Sequence, residues 1–226
     1  VRTSFACAPS ALAAALVLAG CATGPARSPT TPSAPPAGPA SVETLAAAIA
    51  DDAARSEHPA SSEIRNELAA AATRDAQACI ALAPHAAACL YGQAVALGLA
   101  ARAHPSHASS DLNEMLQALA SAELADPNYD HGGPARVRAL VLTRAPGWPL
   151  GPGDPEAAVV AARRAVGLEP QYPPNLLALA AAQEKAGDNP GARESFTQAL
   201  AAAQALPPNS DRDGWLREAQ QGLGHR

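Results

Sequence analysis

A glycine, an aspartate and three apolar positions recur at a single offset. Gly153, Asp154, Ala158, Ala162 and Ala165 return as Gly187, Asp188, Ala192, Phe196 and Ala199, each pair 34 residues apart. Within each set the apolar residues are spaced four and then three apart, which stacks them on one face of an α-helix. The aspartate four residues upstream is placed to cap that helix, and a glycine before it can end the preceding one. A period of this length holds two short helices and their turns, so the repeating unit is a helical hairpin. A hairpin buries only one of its faces and needs a neighbour to complete a core.

Moving N-terminally with the same internal spacing gives Ala158/Ala162/Ala165/Pro170, Met115/Leu119/Ala122/Pro127 and Ala72/Ala76/Cys79/Pro84, with successive prolines 43 residues apart. The two middle repeats therefore carry about nine residues beyond the usual period, and these extra residues are expected at His104 to Ser110 and Ala145 to Gly153. Proline cannot continue a helix, so each one marks a break between hairpins. The expected helices are 42–55 with 62–82, 85–103 with 110–126, 134–144 with 154–169, 173–186 with 190–206, and a final helix 212–223. On that last helix Trp215, Leu216, Ala219 and Leu223 share a side and should cover the open end of the stack, with Asp211 and Asp213 available as caps.

Composition agrees with an all-α class. The chain is 48% hydrophobic but only 3% aromatic, and alanine, which supplies much of that fraction, favours closely approaching helices. Net charge is −5 at pH 7, with no basic stripe to neutralise phosphates, so a nucleic-acid partner is not expected.

Leu176, Leu179, Ala180, Gly187, Ala192, Phe196 and Ala199 resemble the tetratricopeptide pattern, with Gln183 in place of the usual tyrosine. The resemblance implies a right-handed superhelix of about four TPR-like hairpins, closed by a C-terminal capping helix. It also implies that the first helix of each hairpin lines a concave groove. Groove contacts are then expected from Tyr91, Gln93, Arg136, Arg138, Tyr172 and Asn175. Leu177 and Ala181 stand where chaperone-binding repeats carry polar clamp residues, so a mostly apolar groove is expected rather than one that captures a peptide carboxylate. The run Gly132-Gly133-Pro134-Ala135-Arg136, with Ala145-Pro146-Gly147-Trp148-Pro149 and Gly153-Asp154, is similar to that of the tetratricopeptide lipoproteins associated with tripartite ATP-independent periplasmic (TRAP) transporters, their T component. That likeness implies assistance to a periplasmic solute-binding protein and an apolar small ligand.

Residues 1–20 read as an export signal: Arg2 precedes an apolar stretch from Ala11 to Ala19 that is too short to span a bilayer. Leu18-Ala19-Gly20-Cys21 resembles the lipobox of bacterial lipoproteins, in which the cysteine is lipidated and becomes the mature N-terminus; Cys21 is the matching residue. Ala22 rather than aspartate follows it, which favours the outer membrane. Residues 21–41 contain Pro25, Pro29, Pro32, Pro35, Pro36 and Pro39, the composition of an extended tether, leaving 42–226 as the repeat domain.

Cys79 and Cys89 each lie five residues from Pro84, on opposite arms of one turn, and so level with each other on antiparallel helices. In an oxidising compartment two thiols so placed can form a disulfide; two buried free thiols acting as small hydrophobes are the other reading. His104 and His107 supply two imidazoles, short of the four ligands of a structural zinc, and belong to a solvated loop. No metal site, cofactor or catalytic residue is expected, because no nucleophile elbow, phosphate loop or paired-carboxylate motif is present. The function expected is a lipid-anchored periplasmic scaffold for a protein partner. The alternative is an envelope-assembly or pilotin-type lipoprotein serving an outer-membrane complex.

Overall fold

The structure, a computed structural model, describes residues 40–58 and 61–224. The signal segment, Cys21 and nearly all of the tether lie outside the described residues. Helices follow the expected order: α1 (Val42–Arg55), α2 (Ser62–Leu82), α3 (Ala87–Ala103), α4 (Ala108–Ala125), α5 (Tyr129–Arg144), α6 (Pro155–Leu168), α7 (Pro173–Lys185), α8 (Asn189–Gln204) and α9 (Ser210–Gly224). The fold is all-α, four helical hairpins and a capping helix stacked in sequence.

The register positions do what their spacing requires. Ala72, Ala76 and Cys79 on α2, Met115, Leu119 and Ala122 on α4, Ala158, Ala162 and Ala165 on α6, and Ala192, Phe196 and Ala199 on α8 are all buried. The repeated aspartates are helix caps: Asp154 Oδ1 accepts from the Ala157 amide at 2.9 Å and Asp188 Oδ1 from the Gly191 amide at 3.0 Å. Each stabilises its helix by about 1 kcal/mol.

The repeated glycines share a position but not a reason. Gly187 has φ +85° and follows the α7 C-terminus, where its amide reaches the Glu184 carbonyl at 3.0 Å and the Asp188 amide reaches Gln183 at 2.9 Å. This is a Schellman closure, which favours a residue without Cβ. Gly153 is not left-handed; a Cβ there would collide with the Ala145 carbonyl oxygen, because the 145–153 loop folds back on itself.

The two expected insertions take different forms. The first is largely absorbed into longer helices, α3 with 17 residues and α4 with 18, leaving only a short turn at His104 to His107. The second is a true loop, closed by an isolated bridge between Gly147 and Gly153, and it holds Trp148 91% exposed. At the last helix the expected cap is corrected. Asn209 Oδ1 accepts from the Arg212 amide at 2.7 Å, whereas Asp211 and Asp213 occupy the first turn and complement the helix dipole. Ala219 is fully buried, and Trp215 and Leu223 pack with it against Phe196 and its neighbours.

Cys79 and Cys89 are joined in a disulfide, S–S 2.07 Å with Cα atoms 5.2 Å apart, which links α2 to α3 and therefore the first hairpin to the second. Both cysteines are wholly buried beside Leu45.

Ala158 packs among Ala139, Leu142, Ala162 and Leu179, with hairpins on both sides, whereas Ala192 lies in the cluster under the capping helix. Ala158→Leu and Ala192→Leu should each destabilise the domain by about 1–3 kcal/mol through overpacking. The interior change should be the larger, as thermal melts of both variants will show; equal melting temperatures for both variants and the parent would mean these alanines do not set the closeness of the hairpins.

Candidate binding surface

The backbones of the first helices approach one another in series, α1 with α3, α3 with α5, α5 with α7 and α7 with α9, whereas among the described residues α2, α4, α6 and α8 meet one another only through side chains, as in the Arg164–Glu123 ion pair between α6 and α4. The array therefore curves with its first helices on the inner side. Along α3 that inner face runs through Tyr91, Val95, Gly98 and Arg102, and along α5 through Arg136, Val137, Leu140 and Arg144, which is helical spacing. Its two ends differ in chemistry.

At the N-terminal ends of these helices is a polar and aromatic cluster organised by Arg136. This side chain is 8% exposed, and its guanidinium donates to Asp130 Oδ2 at 2.6 Å, to the Asp130 carbonyl at 3.0 Å and to Asn175 Oδ1 at 3.2 Å. Asn175 is fully buried, and its amide group donates to the carbonyls of His131 at 2.9 Å and Ala165 at 3.0 Å. Tyr91 Oη donates to the same Asp130 carboxylate at 3.0 Å. Burial, and then the neighbouring Asp130 charge, push the Tyr91 phenol far above its usual range, which keeps it protonated as a donor.

These bonds hold an unusual backbone. Asp130, His131 and Gly132 have φ of 50°, 57° and 78°, three left-handed residues in succession before the regular part of α5 begins. For the two non-glycine residues this conformation costs about 1–2 kcal/mol each, although aspartate and histidine tolerate it better than most. The turn presents His131 outward. Its ring stacks on Tyr172 with centroids 4.4 Å apart, Arg136 lies 5.2 Å from the Tyr172 centroid, and the Trp215 ring meets Tyr172 edge-on at 5.8 Å. Tyr91 and Tyr129 form a second edge-on pair at 5.3 Å. Burial raises the Tyr172 phenol, an effect partly offset by Arg136.

At the C-terminal ends the inner face becomes an apolar groove of about 410 Å³ between α3 and α5. Val95 and Leu99 form one wall, Val137 and Leu140 the other, and Met115 of α4 the floor. Arg102 and Arg144 stand at the end of the walls, with Glu57 the acidic side chain beside them.

Of the residues expected to line the groove, the structure brings Tyr91, Arg136, Tyr172 and Asn175 together. Asn175 is inside the protein and acts as a tie between α7 and the turn before α5, so its expected role as a groove contact is corrected. Gln93 and Arg138 are also misplaced by that expectation. Each lies two residues beyond an inner-face residue, about 200° around the helix, and so faces the outer side. Gln93 lines a depression with Gln77 and Glu114, and Arg138 lines one with Glu123, Leu124, Val160 and Arg164, where Glu123 and Arg164 are ion-paired. The residues not anticipated from sequence as groove-face groups are Asp130 and His131, adjoining the Gly-Gly pair, together with Tyr129 and Trp215. Gln183 Oε1 accepts from Ser195 Oγ at 2.7 Å across the fourth hairpin.

Among the described residues no three His, Cys, Asp or Glu side chains are grouped to hold a metal ion, and no helix is long and apolar enough to cross a membrane. No protein-family model matches the sequence, and no curated protein is significantly similar to it.

Proposed function

We propose that this chain is a tetratricopeptide-type lipoprotein, anchored through Cys21 at the periplasmic face of a bacterial membrane, the outer membrane favoured, and that its inner face docks a protein partner. The partner class is a transporter solute-binding protein, and the reading is of a binding scaffold rather than an enzyme. The observation that carries it is the cluster at the N-terminal ends of the first helices: Tyr172, His131 and Trp215 are partly exposed aromatic groups already held in place by the buried Arg136 and Asn175. Rigid aromatic groups of this kind give binding energy with little ordering cost. The lipobox-like run ending in Cys21 supports the anchor.

Photo-crosslinking in cells tests both parts. Benzoylphenylalanine at Tyr172 should yield an adduct with a periplasmic protein, whereas at Val160 on the outer side it should not, and Cys21→Ser should leave the chain unprocessed or free of the membrane fraction. Adducts only from Val160 would reject the inner face as the docking surface. Normal processing and membrane association of Cys21→Ser would reject the anchor.

A further inference from the structure

Every first helix of the four hairpins ends in a basic residue, Arg55, Arg102, Arg144 and Lys185, and none of the second helices has a basic residue in its last turn. Compensation of helix dipoles would favour cations at both sets of ends, so it does not account for the division. Two of these cations are repeat equivalents that flank the apolar groove. Val95, Leu99 and Arg102 correspond to Val137, Val141 and Arg144 at a constant offset of 42 residues. Arg55 is engaged by Asp51 and Asp52, at 3.6 and 3.4 Å. Arg102 donates to Ser56 Oγ at 2.9 Å, and neither it nor Arg144 is in an ion pair among the described residues.

From this arrangement we infer that the α3–α5 groove binds a free single-chain amphiphile with a carboxylate head, its alkyl chain between the valine and leucine walls and its head between Arg102 and Arg144. The inference rests on the inner face being the binding surface and names one ligand class for it. The groove volume of about 410 Å³ is of small-ligand size. An extended peptide would bring amide groups against walls that have no polar side chain to receive them, and an alkyl chain has none to satisfy. Two arginines against the single Glu57 leave the mouth positive, and guanidinium groups match the planar, bidentate geometry of a carboxylate.

The test uses the full chain carrying Cys21→Ser, purified without detergent, and dansyl-undecanoate displaced by laurate, dodecanol or dodecyltrimethylammonium. Laurate should displace the probe at concentrations at least about tenfold below dodecanol, corresponding to one charge-assisted contact, with the cationic amphiphile weakest. Arg102→Gln with Arg144→Gln, both at exposed positions, should remove the preference for laurate while dodecanol is unaffected. The inference is overturned if no amphiphile displaces the probe, if laurate and dodecanol are equal, or if the preference survives the double substitution. An adduct of benzoylphenylalanine at Leu140 with a protein segment would also overturn it, by assigning the groove to a peptide occupant. A partner adduct at Tyr172 with no amphiphile binding would remove this ligand and leave the scaffold reading standing.

Discussion

Replacing Arg136 with leucine should destabilise the repeat domain by about 2–4 kcal/mol, because it leaves the Asn175 acceptor buried without its donor and removes a charged hydrogen bond from the half-exposed Asp130. The change strips the Asp130 carboxylate and Asn175 Oδ1 of their buried donor and releases the left-handed turn at Asp130 and His131. For a domain of this size the melting temperature should fall by on the order of 10 °C. Arg136→Lys should recover only part of the loss, because one ammonium cannot reproduce the planar fork that reaches a carboxylate, a carbonyl and an amide together. Arg138→Leu, two residues away but on the outer side, should stay within about 0.5 kcal/mol. If both arginine variants melt alike, the polar clasp does not hold the third and fourth hairpins in register.

Phe196→Ala should have an effect of similar size, about 3–5 kcal/mol, but of a different kind. Phe196 is buried where α9 closes the stack, and its ring faces Gly222 so closely that a Cβ there would collide with it. Truncation removes the surface on which the capping helix rests, so α9 should loosen before the array melts. Trp215, on the same helix and in edge contact with Tyr172, supplies the reporter. Its emission should shift in a separate, earlier step in denaturant titrations of the variant, with Trp148→Phe introduced to remove the exposed tryptophan. A single coincident transition would mean that the cap and the array unfold as one unit.

Hairpin number, helix bounds and core register were legible in the sequence because a stacked array satisfies its core with near neighbours, and local spacing carries that information. The small-residue positions from Ala72 to Ala199 are the clearest example. The binding surface was legible only in part. Tyr91 and Arg136 fall on the inner face by repeat position, and Gln93 and Arg138 could have been set aside because a two-residue step turns a helix half-way round. The left-handed Asp130 and His131 leave no such pattern; their conformation is supported by Arg136 and by Asn175, which is 45 residues beyond Asp130 in sequence. The disulfide followed from symmetry about Pro84 only as one of two readings, since spacing brings thiols level but does not set their oxidation state.

The Cys79–Cys89 bond also decides how the molecule would carry a load. Tension applied ahead of Val42 reaches α1 first and then α2, stripping from α3 the core that Ile49, Ala69, Ala72 and Ala76 share with Ala96 and Leu99. At Cys79 the pulling line leaves the backbone, crosses the sulfurs and re-enters at Cys89, so the segment between them is never stretched. The slack available before that point is about 130 Å of extended chain. Beyond it the second hairpin, with Tyr91 on its inner face, bears the force directly.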